Sequence, residues 1–268
     1  MKEIASNHLQ RHSIGIFDSG LGGLSVLKAI NHLLPLESII YYADSLHAPY
    51  GSKPDEFIIE RCETIAAWLF SQNIKILVVA CNTATALIIN RLRMLWPFPI
   101  VGIEPGLKPA VNLSKNKRVG VLATEATLRS DRFQNLKKRF SSECEFVCIP
   151  AYGLVEIVEN GENNLNTTLK LVKKYCDQLI QANADVLVLG CTHYPFLSSI
   201  FQIFINNKMV MIDTSCAVAL HCRNSLPFLN NNLDQGKVFL YSSGNLESLQ
   251  VMAKKLLSCQ CVISYKNI

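Results

Sequence analysis

Charged side chains are scarce in this chain: 18% of its 268 residues, against roughly 25% in ordinary soluble proteins. Hydrophobic residues reach 49%, so an intrinsically disordered chain, which needs high charge and few core formers, is excluded. No dense basic run is present. The 26 Lys and Arg exceed the 21 Asp and Glu by a net +5, and the nearest approach to a cluster, Lys137-Lys138-Arg139, suits a solvated helix face better than a nucleic-acid groove. Nucleic acid is therefore not expected as the main partner. No uninterrupted apolar stretch approaches the roughly 18 residues that span a bilayer, so no membrane partner is expected either. The segment from Met1 to Ser13 lacks the apolar run of about 7–15 residues that a signal peptide needs, and a cytoplasmic location is the expectation. The residues before Ser13 look like a short extension and are given no role.

No CxxC occurs among the ten cysteines, which removes the main cue for a zinc ribbon or a thioredoxin-like site. A chain of this length does not depend on disulfide staples, and most of its thiols read as small core hydrophobes. Cys191-x-His193 with Cys216, His221 or Cys222 matches no usual zinc spacing, so no metal is expected. Cys259-Gln260-Cys261 reads as alternation along a terminal strand.

What is present is a rhythm. Short β-rich runs (Ser13–Phe17, Ser38–Ala43, Ile74–Ala80, Ile100–Ile103, Arg118–Ala123, Glu145–Ile149, Asp185–Leu189, Lys208–Ile212, Val238–Ser242) alternate with helix-length amphipathic segments. The helices expected are Gly23–Leu34, Pro54–Gln72, Ala84–Trp96, Gly106–Ser114, Glu125–Arg139, Gly153–Glu159, Thr167–Gln181, Phe196–Phe204, Ser215–Leu226 and Leu246–Leu257. Near-continuous apolar runs such as Ile76-Leu77-Val78-Val79-Ala80 read as strands covered on both faces, and alternation with helices implies parallel sheets. The pattern also repeats. Ser13–Ser19 resembles Arg118–Thr124, Ile76–Ala86 resembles Val186–Phe196, and nearly the same interval separates both pairs. The fold class that follows is α/β: two similar doubly wound parallel-sheet domains, related by a pseudo-twofold with the active site in the cleft between them. The expected division is 1–105 plus 214–268 for the first and 106–213 for the second, with Pro105–Lys117 crossing between them.

Ligands of open parallel sheets bind beyond the carboxyl ends of the strands, so the residues just after each strand are the ones to inspect. Asp18-Ser19-Gly20-Leu21-Gly22-Gly23 is not a dinucleotide fingerprint, because Ser25 stands where a third glycine would be. Asp18 would also repel a phosphate at a helix start. A carboxylate beside a hydroxyl suits an ammonium group or proton transfer, or else an ordinary helix cap with turn glycines. In the loop Ala43–Gly51, Tyr50 and Gly51 offer backbone N–H groups to a carboxylate, or the segment is simply a packed surface loop. Cys81-Asn82-Thr83-Ala84-Thr85 and Cys191-Thr192-His193-Tyr194 belong together. Each cysteine follows a buried strand and precedes a helix start, where a thiolate is stabilised and the thiol pKa is expected to fall. One such cysteine reads as core; two at matching positions of a duplicated unit read as a pair facing one cleft. Stereoinversion at carbon suits that pair, since one acid/base removes a proton from one face and the other returns a proton to the opposite face.

Four segments, FDSGLGGLSVL (17–27), YYADSLHAPYG (41–51), VVACNTATAL (78–87) and LGCTHYPFL (189–197), resemble the signature segments of the glutamate racemase family, within the aspartate/glutamate racemase superfamily. The resemblance runs from about residue 13 to about 215. It implies a cofactor-independent amino-acid racemase that supplies D-glutamate for peptidoglycan. By that resemblance Cys81 deprotonates the D-enantiomer and Cys191 the L-enantiomer, while Asp18 and His193 assist their respective sides. Asp18, Ser19, Tyr50, Gly51, Asn82, Thr83, Thr192 and His193 match substrate-binding positions. Thr85 matches a further hydroxyl contact, and Glu159 an acidic residue near the second side. No lysine or pyridoxal cue appears at these junctions, so the developing charge must be met by donors in a closed, dry cleft. Glutamate, D and L, is the expected partner, and a homodimer is compatible with the reading. Rival readings are an aspartate racemase, a Cys–His hydrolase using Cys191 and His193, and a binding protein that kept the fold.

Overall fold

Residues 13–161, 164–230, 236–257 and 259–268 are described by the computed structural model of the chain; the polar segment before Ser13 lies outside them. Strand β1 (Ser13–Asp18) leads through helix α1 (Leu24–Leu33) to β2 (Ser38–Ala43), and α2 (Asp55–Ser71) carries the chain to β3 (Ile74–Val79). Helix α3 (Asn82–Leu95), β4 (Ile100–Gly102) and α4 (Leu107–Leu113) follow. The second run holds β5 (Arg118–Ala123), α5 (Glu125–Arg129), α6 (Asp131–Phe140), β6 (Glu145–Pro150), α7 (Leu154–Glu159) and α8 (Leu165–Gln181). It continues through β7 (Val186–Gly190), α9 (Ser198–Ile205) and β8 (Val210–Ile212). The chain then adds α10 (Ser215–Ser225), β9 (Val238–Ser242), α11 (Leu246–Leu256) and β10 (Cys261–Tyr265).

The strands form two sheets, ordered β10-β9-β2-β1-β3-β4 and β6-β5-β7-β8, with every pairing parallel. Both contain the same internal order, second strand, first strand, third, fourth. Strand order therefore reverses beside β1 and β3 in one sheet and beside β5 and β7 in the other, the switch points at which open α/β sheets bind ligands. Sequence explains the burial. All six residues of β3 and all five of β7 are buried, because helices cover both faces. Along β1 and β3, Ile14, Ile16, Ile76 and Val78 enter one cluster, while Phe17, Leu77 and Val79 enter another on the opposite side. The first cluster continues into the second sheet through Leu122, Leu187 and Leu189. Helix α4, within the expected crossing segment, packs Leu107, Ala110 and Val111 with Val119, Val121 and Val186 of the second sheet. Beyond residue 213 the chain returns: α10 packs on α1 and reaches β4, and β9 and β10 extend the first sheet.

Four expected helices differ from the observed ones by two residues or more, among them α8, which begins at Leu165 rather than Thr167. The single helix Glu125–Arg139 breaks at Ser130, whose hydroxyl accepts from Phe133 N and starts α6, the competition a mid-helix serine offers. Phe196–Phe204 is displaced by a 3₁₀ turn, Tyr194–Leu197, ahead of α9. And α3 begins two residues earlier than expected, with Cys81 as its cap. At the far end, β10 begins at Cys261, so Cys259 precedes the strand rather than lying in it.

Candidate active site

Asp18 ends β1 wholly buried. One oxygen accepts from Gly20 N at 2.9 Å and the other from the Thr192 hydroxyl at 3.0 Å, so a carboxylate of the first half is held by a residue of the second. The loop it opens must be glycine-rich for steric reasons. A Cβ on Gly20 would lie 2.0 Å from Glu159 Oε1, and one on Gly22 would lie 2.3 Å from His193 Nδ1. The backbone of Leu21 donates to Glu159 Oε1 at 2.6 Å.

Cys81 follows β3 and caps α3, its sulfur accepting from Ala84 N at 3.5 Å and facing Ser19 Oγ at 3.7 Å. Cys191 follows β7, with its sulfur 3.7 Å from His193 Nδ1. Both are nearly closed off, 5% and 6% exposed. They share one buried neighbourhood: Ser19, Asp18 and Thr192 form the link from one sulfur's side to the other's.

The two sulfurs have different surroundings. Burial pushes the Cys81 thiol up to about 12, the Asp18 charge adds to the rise, and the Ala84 N–H only partly opposes it. The fall expected from the helix start is therefore overturned: desolvation in this closed site outweighs the helix terminus. No helix start serves Cys191 directly, since a 3₁₀ turn of four residues follows. Its neighbour is His193 instead. Burial would lower that imidazole's pKa, but the hydrogen bonds to Cys191 and Glu159 more than offset it and carry it well above the ordinary value. Nε2 lies 2.6 Å from Glu159 Oε1 and 3.2 Å from Gly22 N. A protonated Nε2 donates to the carboxylate, and the shorter, charge-assisted contact decides the arrangement. Glu159 reaches this position as the last residue of α7, a helix entered through Gly153 at φ +85°, a left-handed conformation that favours glycine. Burial raises Asp18 to about 6, against the lowering effect of His193.

The remaining expected positions fall in two groups. Tyr50 is buried with its hydroxyl committed to Asp44 Oδ2 at 2.6 Å, leaving its backbone and that of Gly51 at the seam, where a Cβ on Gly51 would lie 2.8 Å from Thr124 Cβ. Asn82 has both amide atoms buried without a partner. Thr83 Oγ1 lies 2.9 Å from Thr124 Oγ1 and 3.3 Å from Thr127 Oγ1. Thr85 stands apart: its hydroxyl donates to Val79 O at 3.1 Å and accepts from Ile103 N at 3.2 Å, a tie between backbone segments. Thr124 and Thr127 were not foreseen, although Thr124 holds the place in the repeat that Ser19 holds in the first half. A polar cleft of about 470 Å³ has Ser45, Pro49, Glu156, Glu159 and Asn245 in its wall, and so reaches Glu159, the partner of His193. Among the described residues no three His, Cys, Asp or Glu side chains gather as metal ligands would.

The sequence pattern of the Asp/Glu/hydantoin racemase family matches residues 14–220. The glutamate racemase of Ralstonia nicotianae is 51% identical over 213 residues, covering 80% of this chain and 77% of that protein. A glutamate racemase isoform from Bacillus anthracis superimposes with a TM-score of 0.87 at 29% identity, covering 97% of this chain and 99% of that one. The Escherichia coli glutamate racemase, solved in complex with L-glutamate and the activator UDP-MurNAc-ala, gives a TM-score of 0.83 at 30% identity over 94% of this chain and 97% of that one.

Proposed function

The chain belongs to the Asp/Glu/hydantoin racemase family, and we propose that within it this amino-acid racemase interconverts L- and D-glutamate without a cofactor, through two cysteine acid/bases. The observation that carries the reading is the pair of buried thiols at equivalent strand ends, Cys81 after β3 and Cys191 after β7, linked through Ser19, Asp18 and Thr192. Relatives bearing the name glutamate racemase support the substrate.

From D-glutamate, the Cys81 sulfur takes the α-hydrogen as a proton, and Cys191 donates a proton to the opposite face of the carbanion. From L-glutamate the roles exchange. The Cys81 thiol is strongly disfavoured as a thiolate by its surroundings, so the cationic α-ammonium of the substrate, seated near Asp18 and Ser19, supplies the opposite charge that makes ionisation accessible. On the other side His193, kept cationic by Glu159, offers its Nδ1 proton to the Cys191 sulfur and stabilises that thiolate. Charge growing on the substrate carboxylate needs fixed donors in a dry site. The backbone N–H groups of Tyr50, Gly51 and Thr192 and the hydroxyl of Thr83 are assigned to it. An amide buried with both polar atoms unpaired is costly, and the Asn82 side chain is assigned to the substrate on that ground. The domain division that goes with this reading is 1–105 plus 214–268 and 106–213, related by a pseudo-twofold. The physiological product is D-glutamate for peptidoglycan, made in the cytoplasm.

The test is incubation of purified protein with L-glutamate in D₂O without added cofactor, followed by chiral separation. D-glutamate should accumulate toward an equal mixture with deuterium at the α-carbon; binding of glutamate with no exchange would refute the proposal. The line Cys191–His193–Glu159 also matches a thiol hydrolase's nucleophile, base and orienting acid. That scheme leaves Cys81 idle, so full turnover by a Cys81→Ser protein would favour it.

A further inference from the structure

Asp44, the residue after β2, is wholly buried, and five contacts from four side chains converge on its carboxylate. Oδ1 accepts from Arg61 Nη2 at 2.8 Å and Ser243 Oγ at 3.0 Å, with His47 Nδ1 at 2.9 Å. Oδ2 accepts from the Tyr50 hydroxyl at 2.6 Å and Arg61 Nε at 3.1 Å. The third nitrogen of the same guanidinium, Nη1, donates to the carbonyl oxygen of Ile268 at 2.7 Å. The chain reaches that point across the strand ends. Lys266 N donates to Ser242 O at 2.9 Å, and the Tyr42 hydroxyl donates to Lys266 O at 3.1 Å. Ser243, beside that crossing, returns to the loop by accepting from Leu46 N at 3.2 Å.

Such a network does more than neutralise a buried charge. Arg61 sits on α2, Asp44 at the end of β2, Tyr50 in the loop against the second half and Ile268 in the C-terminal segment, so one planar fork fixes four parts of the chain. The fork matters because Nε and Nη2 grip one carboxylate while Nη1 points away from it, which a lysine ammonium cannot reproduce. Tyr50 is the only one of the four that borders the proposed substrate site, and its neighbour Gly51 abuts Thr124 with no room for a Cβ. A small rotation of this turn would move the Tyr50 and Gly51 N–H groups relative to the seam.

We propose that Arg61 is a positioning residue of the reaction: clamped between Asp44 and the Ile268 carbonyl, it fixes the Tyr50-Gly51 turn that holds the substrate carboxylate, and residues 266–268 are part of that clamp. The inference rests on the assignment of Tyr50 and Gly51 made above. The experiment measures kcat and KM for L- and D-glutamate in the unaltered protein, in Arg61→Lys, in Tyr50→Phe and in the chain lacking residues 266–268, with circular dichroism and thermal melts alongside. Each change should lower kcat for both enantiomers by about 10- to 100-fold, the scale expected of an ångström-sized misplacement, because these N–H groups meet the charge that grows in the transition state. Folded Arg61→Lys and truncated proteins with unaltered kcat, or with a raised KM alone, overturn the clamp. An unaltered protein that does not racemise glutamate overturns instead the function on which the clamp depends. If Arg61→Lys does not fold, Tyr50→Phe and the truncated chain decide, since each removes one anchor and leaves the Arg61–Asp44 pair in place.

Discussion

The Thr192 hydroxyl donates to the Asp18 carboxylate at 3.0 Å across 174 positions of sequence, and this bond joins the Cys81 side of the site to the Cys191 side. Thr192 follows Cys191 directly, and Asp18 precedes Ser19, whose hydroxyl faces the Cys81 sulfur. The two halves therefore meet through the residues that flank the two buried thiols, so relative movement of the sheets changes both sides of the candidate site together.

Replacing either cysteine should stop inversion. In the proposed mechanism Cys81→Ser and Cys191→Ser each remove the acid/base from one face, and the lost function cannot be supplied from the other. Chiral analysis with either enantiomer as starting material should find no net conversion. Normal racemisation by either variant in both directions would remove that residue from the mechanism.

Glu159→Gln should lower the His193 pKa. The imidazole now titrates well above its ordinary value because Glu159 and Cys191 hold its cation against burial. Its contribution to stability is complete below the unfolded value near 6.5 and is lost as pH rises through the elevated folded value. Without the carboxylate that alkaline loss moves to lower pH, and kcat should decline at neutral pH as His193 becomes uncharged. Proton NMR of the His193 ring across a pH series reads the shift directly; an unchanged midpoint would contradict the assignment.

Asp18→Asn should stabilise the fold while impairing catalysis. Burial raises Asp18 to about 6, so between its unfolded value of 3.8 and about 6 the unfolded chain loses a proton that the native state retains. Stability falls as pH rises through that window, by about 3 kcal/mol in all. The asparagine protein lacks this loss and should be the more stable of the two at pH 7, an exchange of stability for function common at active sites. Urea melts from pH 4 to 7 test it. Parallel pH dependence in the two proteins would mean that Asp18 is not held in a raised state.

Gly22→Ala should damage both stability and turnover. The added methyl would meet His193 Nδ1 at 2.3 Å and Thr192 Oγ1 at 2.7 Å, and neither group can move without disturbing its bonds to Cys191 and Glu159 or to Asp18. A loss of about 1–3 kcal/mol is typical of such overpacking. Turnover and melting temperature indistinguishable from the unaltered protein would show that the two halves can part at this loop without consequence.

Strand ends and their chemistry were readable along the chain. Ile74–Val79 and Val186–Gly190 are apolar almost throughout, and a polar Cys-centred motif stops each of them. Backbone propensity and hydrophobic period act over a few residues, so the alternation of strand and helix, the duplication and the two thiols lie on the surface of the sequence. Where two local signals compete, the stronger period does not decide, as at Ser130, whose capping hydroxyl splits a helix that its flanking residues would have continued. Distant pairings had no such trace. The family resemblance set Glu159 near the Cys191 side, but nothing around it announces that it will accept from Leu21 N, nor does anything near Arg61 point to Ile268. Those contacts arise when the halves pack, and packing also determined the charge states: a helix start should favour the Cys81 thiolate, yet enclosure by the folded chain reverses the balance. Proton affinity depends on how much water and which charges surround a group, and those surroundings exist only after residues far apart in the chain have been brought together.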